Sequence, residues 1–458
     1  MRSILKTVAM GTFLLAQGLA VPAMAQRFDV NKFDTGMIPS PHILMPQGEV
    51  KASIFLLSDE NGWNADEDKQ AEALTEKGAI VIGIDLPTYI TSLGQDPEDC
   101  IYMISDIESL AQQVQRSLGN GSYKTPIIAG IGTGATYVLG MMSQSPPATI
   151  GEAVAVDPGS AIALPKVLCT PAEKTTMAGG IQYGMSDGAL PAPTSIFLTK
   201  SATADGTAHA QSLKKEQPDI DIEQSDRSAQ ETLIQALSDR IDAASQDNSP
   251  LGLPLTILDT KPTLNTMAII ISGDGGWRDI DADLGDALQE DGIPVVGLDS
   301  LRYFWSKKDA ASTAADLSRI IRAYRKQWGV QNVLLIGYSF GADLLPSTYN
   351  QLPEADRSRV VMLSLLALSN SAEFEISVSG WLGASGSGEG GNPTVDLEKI
   401  DPKKVQCVYG TEDDEDACKA LASRGIETIG IAGGHHFDED YEALAKKIVA
   451  SLKKRINS

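Results

Sequence analysis

The run Asn332-Val333-Leu334-Leu335-Ile336, followed at once by Gly337-Tyr338-Ser339-Phe340-Gly341 and then Ala342-Asp343-Leu344-Leu345, admits few folds. A short continuous apolar run bounded by glycine reads as a strand buried on both faces, as in a parallel sheet. The segment after it reads as the start of a helix. A strand and a helix joined by G-x-S-x-G form a turn so tight that the positions flanking the serine must be nearly free of side chain. Ser339 is left projecting from a sharp corner and is the candidate nucleophile.

A serine hydroxyl is a poor nucleophile at neutral pH. It needs an imidazole within hydrogen-bond reach and a carboxylate to orient that ring. On an α/β-hydrolase sheet these follow in the order serine, acid, histidine. The strand-like Lys404–Tyr409 ends in Gly410-Thr411-Glu412-Asp413-Asp414, which places an acid just past a strand end. Asp413 is the first choice and Asp414 the second; the rest of this acidic run is a solvated loop. Another strand-like run, Thr428–Ala432, leads into Gly433-Gly434-His435-His436-Phe437, where two of the chain's four histidines stand together. His435 is favoured over His436 as the base. No Glu-x-x-His or paired-cysteine spacing accompanies the two histidines, so the pattern does not point to a metal. No cofactor is expected.

The oxyanion formed on attack needs preorganised N–H donors. One should be the backbone N–H of Phe340, the residue after the nucleophile. The other should come from the loop after an early strand, and Met267–Ser272 runs into Gly273-Asp274-Gly275-Gly276-Trp277. Gly275 and Gly276 are the candidate donors. Neither a G-x-x-x-x-G-K-[ST] nor a G-x-G-x-x-G run is present, which disfavours a nucleotide cradle.

The chain also repeats itself. Strand Ala52–Ser58, Gly62-Trp63 and Val81–Asp85 mirror strand Met267–Ser272, Gly276-Trp277 and Val295–Asp299, with tryptophan and aspartate 22 residues apart in both halves. Pro126–Ala135 lines up with the strand and elbow around Ser339, and puts Gly132 at the nucleophile position. Thr133 is one residue off and His209 is the only downstream histidine of that half. Alternating strands and helices predict two tandem α/β-hydrolase-like domains, the first degenerate. The expected organisation is a signal peptide over 1–25, a degenerate domain over 26–215, a helical and polar linker over 216–261, and a catalytic domain over 262–458. The first domain would serve docking, partner binding or stability.

Arg2 and Lys6, an apolar stretch from Val8 to Val21 and Ala23-Met24-Ala25 read as a cleavable export signal. Four cysteines fit an oxidising compartment. Cys407 and Cys418 bracket the acid loop and are expected to pair, leaving Cys100 with Cys169, although four cysteines allow three pairings. A net charge of −23 repels nucleic acid and attracts cations at long range. After Asp299 come Tyr303-Phe304-Trp305, three aromatics in a chain with 5% of them. Tyr303 and Trp305 are candidate pocket walls, and the glycine-rich Phe374–Gly391, with Trp381, is a candidate lid.

Gly-Asp-Gly-Gly-Trp277, Ser-Leu-Arg-Tyr-Phe-Trp305, Gly-Tyr-Ser-Phe-Gly-Ala-Asp343 and Gly-Gly-His-His-Phe437, in this order, resemble the VirJ/AcvB family. The second half resembles the shorter VirJ form, and the whole chain the longer AcvB form. The resemblance implies a periplasmic, virulence-associated protein with Ser339, Asp413 and His435 as triad. It implies an esterase that hydrolyses lysyl-phosphatidylglycerol at the membrane surface, and secretion-related protein partners. A cationic aminoacyl group would welcome acids near the nucleophile, and Asp274 and Asp343 are the candidate amine contacts. Rival readings are an esterase with another ester substrate and a non-enzymatic adaptor or chaperone.

Overall fold

The computed structural model describes residues 26–456 apart from 28–29, 120, 245–249, 377–387 and 415. The export signal and Trp381 fall outside these residues.

The first sheet comprises β1 (Gln26–Arg27), β2 (His42–Met45), β3 (Ala52–Leu57), β4 (Ala79–Ile84), β5 (Ile127–Ile131), β6 (Glu152–Val156), β9 (Thr194–Leu198) and β10 (Asp221–Gln224), with a separate hairpin of β7 (Lys174–Met177) and β8 (Gly180–Tyr183). The second comprises β11 (Leu255–Leu258), β12 (Thr266–Ile271), β13 (Val295–Leu298), β14 (Asn332–Tyr338), β15 (Val360–Leu366), β16 (Val405–Gly410) and β17 (Glu427–Ile431). Their orders are β1-β2-β4-β3-β5-β6-β9-β10 and β11-β13-β12-β14-β15-β16-β17. Leaving out β1, the two match strand for strand. In each, one antiparallel strand (β2 or β11) edges a parallel sheet. The central strands are apolar on both faces because helices cover both: β3, β4 and β12 are buried at every residue. The chain folds as two tandem α/β-hydrolase units.

The sequence boundary expected at 216–261 is corrected. β10 completes the first sheet, and the helix Ala229–Ala244 packs Leu233, Leu237 and Ile241 against Ile54, Val81 and Val154 of that sheet. β11 already belongs to the second sheet. The segment looks polar because an amphipathic helix and an edge strand each bury only one face.

The helix Ala310–Trp328 starts at an Asp309 capping box and ends at Gly329, which takes the left-handed conformation at the cap.

The domains meet through named side chains. Tyr123 of the first packs into the hydrophobic core of the second. The Arg116 guanidinium lies 3.9 Å over the Trp305 ring and donates to the carbonyls of Trp305 and Ile376.

Candidate active site

In an open α/β sheet, ligands gather outside the carboxyl ends of the strands where the strand order reverses. Here the reversal lies between β12 and β14, which pair in parallel from Thr266 to Ile271. The glycine-rich loop leaves one of these strands and Ser339 leaves the other.

Ser339 has φ 50° and ψ −117° and stands at the N-cap of the helix Phe340–Gln351. A non-glycine residue rarely holds this conformation unless its surroundings impose it. They do so by close approach. A Cβ on Gly337 would come 2.4 Å from the Gly341 carbonyl oxygen, and one on Gly341 would come 2.1 Å from that of Ile271. Neither position admits a side chain, so the turn packs directly on the end of β12.

His435 Nε2 lies 2.9 Å from Ser339 Oγ, and His435 Nδ1 lies 3.0 Å from Asp413 Oδ2. Asp413 is mostly buried and His435 half exposed, with side-chain exposures of 12% and 45%. Donation from Nδ1 to Asp413 leaves Nε2 to accept the serine proton. Asp414 is exposed and Asp413 faces the ring, which separates the two acids that sequence left side by side. His436 turns its Nδ1 toward Tyr338 Oη at 3.2 Å, and that hydroxyl also donates to the His435 carbonyl at 3.4 Å. Tyr338, the variable residue of the elbow motif, thus braces the histidine loop; sequence reasoning did not single it out.

The Phe340 N–H opens a helix and has no intrahelical acceptor, so it is available to an oxyanion beside Ser339. The glycine-loop donors are revised. The Gly276 N–H donates to the Gly273 carbonyl at 3.2 Å, closing the loop's own turn, so Gly276 is not a donor to substrate. The Gly273 N–H donates to the buried Asp281 at 3.1 Å. Gly275 keeps its candidacy. Arg278 packs on it so closely that a Cβ there would sit 2.8 Å from the guanidinium. Arg278 Nη1 in turn donates to Glu108 at 2.9 Å and Thr149 at 2.8 Å, both in the first domain.

The expected substrate contacts divide. Asp274 sits partly exposed on the glycine loop. Asp343 accepts from the Ser369 N–H at 2.7 Å and from its hydroxyl at 2.9 Å, so both oxygens brace the loop after β15. Burial pushes its carboxyl up to about 7, with a smaller contribution from nearby Asp416. A carboxyl half protonated near neutrality and held by two donors is a weaker partner for an amine than sequence implied. Trp305 is fully buried under Arg116 and Tyr123, so it is a domain contact and not a pocket wall. Tyr303 is 4% exposed and donates to Asp316 at 2.7 Å. Phe304 is also fully buried and packs edge-on to Phe340, with ring centres 5.1 Å apart. A strand-end run of aromatics signals burial as readily as a pocket: Phe304 and Trp305 are fully buried, while Tyr303 keeps an edge on a cleft between the domains.

Both disulfides form as expected, Cys100–Cys169 and Cys407–Cys418. The second closes the loop bearing Asp413 and Asp416. Asp416 accepts from the Cys418 N–H at 2.6 Å, and burial followed by the Asp413 charge pushes its carboxyl up to about 6. Among the described residues no group of three or more His, Cys, Asp or Glu is arranged to hold a metal ion.

The first domain keeps the frame without the chemistry. Gly132 has φ 57° and ψ −118°, nearly the angles of Ser339. Beside it the Thr133 hydroxyl donates to Glu60 at 2.6 Å. His209 is buried on the helix Ala204–Glu216, not on a loop, and burial holds its pKa down.

Residues 265–456 match the family model described as bacterial virulence protein (VirJ). Among solved structures, the chain is similar to Est1E from Butyrivibrio proteoclasticus at 16% identity, covering 44% of this chain and 93% of that one with a TM-score of 0.33. It is also similar to an α/β serine hydrolase homologue from Coxiella burnetii at 17% identity, covering 43% and 89% with a TM-score of 0.30. No curated protein matches the chain. The second domain of this chain is thus similar to the VirJ family over those residues.

Proposed function

We propose that the second domain is a serine esterase that cleaves the aminoacyl ester of lysyl-phosphatidylglycerol. The observation that carries the reading is the continuous hydrogen-bond chain from Ser339 through His435 to Asp413. Ser339 Oγ attacks the ester carbonyl while His435 Nε2 takes its proton. The oxyanion meets the Phe340 N–H and a glycine-loop donor, with Gly275 the candidate. Collapse expels the glycerol alcohol of phosphatidylglycerol, which receives the proton from His435 and leaves lysyl-Ser339. Water, deprotonated by the same imidazole, then releases lysine.

The substrate assignment is supported by the AcvB-like motif order and by chemistry. An aminoacyl ester has an ordinary alcohol leaving group, and its two amines are cationic. Asp274 and the acidic balance of the chain favour such a group. Export to the periplasm fits the N-terminal sequence and the two disulfides. The deciding assay is lysine release from lysyl-phosphatidylglycerol vesicles by the full-length protein beside Ser339→Ala. Release by the first alone supports the reading. No release by either, with Ser339 still reactive toward a fluorophosphonate, assigns a different ester.

A second reading, an adaptor in virulence-related protein export, is favoured by one observation. The first domain retains the elbow at Gly132 with nothing to attack. Capture of the same partner proteins by the intact and Ser339→Ala forms would support that added role; no capture by either removes it.

A further inference from the structure

A cavity of about 540 Å³ opens between the two domains. The first domain contributes Lys51 and Lys124, at the amino ends of β3 and β5, and the second contributes Arg302 and Lys308, beyond the carboxyl end of β13. Tyr303 forms part of the wall. No carboxylate lines it among the described residues. Among the described residues none of the four cations forms an ion pair within 4 Å, whereas Lys69, Arg240 and Lys446 elsewhere on the chain are each paired with an acid.

This is an unusual arrangement in a chain of net charge −23. Lys51, Lys124 and Lys308 are partly buried, and Lys308 Nζ rests 5.1 Å from the Tyr303 ring centre. Like charges gathered in a half-enclosed cleft repel one another more strongly than in open water, because low-dielectric walls concentrate the field. The two domains meet here with four positive charges and no carboxylate in the lining, the buried Asp299 that interacts with Arg302 lying outside it, so a bound anion would relieve the repulsion. Three ammonium groups and one forked guanidinium match the oxygens of a phosphate group. The volume falls within the roughly 300–1,000 Å³ usual for small-molecule sites.

We propose that this cleft binds a phosphate ester, drawing ligands from both domains. Arg302 lies on the same strand-end side of the second sheet as Ser339, so the bound phosphate sits on the catalytic side of that domain. The site gives an otherwise acidic protein one place at which to hold a phosphate-bearing molecule. It does not depend on the esterase reading.

The test uses the full chain. Binding of glycerol 3-phosphate is measured by calorimetry, and binding of phosphatidylglycerol vesicles against phosphatidylcholine vesicles by sedimentation. The proteins compared are wild type, Lys51→Gln/Lys124→Gln, Arg302→Gln/Lys308→Gln, and Lys326→Gln as a surface control, with melting curves to verify folding. Wild type and Lys326→Gln should bind alike. Each double variant should bind at least about tenfold more weakly, a loss of about 1.4 kcal/mol. Binding of the soluble ester without vesicles identifies a free phosphate ester as the ligand, and phosphatidylglycerol-dependent sedimentation identifies a lipid headgroup. Absence of both for wild type, or equal binding by folded wild type and double variants, overturns the proposal.

Discussion

Arg278 of the second domain and Glu108 of the first form an ion pair 2.9 Å long, and the same guanidinium packs on Gly275 of the glycine loop. The degenerate domain therefore holds, through Glu108 and Thr149, the side chain that packs on the glycine loop. Both charged partners are largely buried, at 23% and 21% side-chain exposure, and removing the acid leaves the guanidinium with Thr149 and the more distant Asp279, 3.7 Å away, in place of its close ion pair. Glu108→Ala should lower stability by on the order of 2 kcal/mol and slow the reaction of Ser339 with a fluorophosphonate. Glu108→Gln, which keeps the acceptor oxygen, should recover much of both. Melting temperature and labelling rate, measured together, check this; a fall in stability with an unchanged labelling rate would confine the pair to holding the domains together.

Asp413 and Asp414 are neighbours with different surroundings. Asp413→Asn should cost roughly 10⁴ in kcat by presenting His435 with the wrong hydrogen-bond partner. Asp414→Asn should stay within a few-fold of wild type. Steady-state kinetics on any accepted ester checks the pair of variants, and the reverse ranking would reassign the orienting acid.

Asp343 gives the pH prediction. Its carboxyl is raised from the usual carboxylate range to about 7 in the folded chain. Between those values the folded state holds a proton that the unfolded state has released. Stability therefore falls as pH rises through that window and levels off above about 7. Asp343→Asn should flatten this slope while keeping the bond from the Ser369 N–H. Denaturant midpoints taken from pH 4 upward test the sign.

Much of this site was legible in the sequence because its parts are local. The elbow needs small residues at fixed offsets around Ser339, and the acid and histidine sit just past strand ends marked by Gly410 and Gly434. The repeat was legible because Trp63 and Trp277 each sit over a strand glycine, Gly83 and Gly297, that leaves room for the indole. What failed depended on distant contacts. Trp305 looked like a pocket wall until Arg116 and Tyr123 of the other domain covered it. Gly276 looked like a donor until its N–H was needed by the loop itself. Glu108 carries no motif and gains its place only when the two domains meet. The helix Ala229–Ala244 looked like linker because half its surface is polar.

Gly132 offers a check on the degenerate domain. Gly132→Ser should restore the shape of an elbow without a base or acid behind it, so no fluorophosphonate should attach there. Peptide mass spectrometry reads this directly, and labelling at position 132 would show that the first domain retains an unrecognised base.

The most direct test of the account is fluorophosphonate labelling of the full-length wild-type protein, with the modified residue located by mass spectrometry. The account predicts one modified residue, Ser339, lost in Ser339→Ala and slowed by several orders of magnitude in His435→Ala. Absence of labelling on folded wild-type protein, or equal labelling with His435 removed, would contradict it.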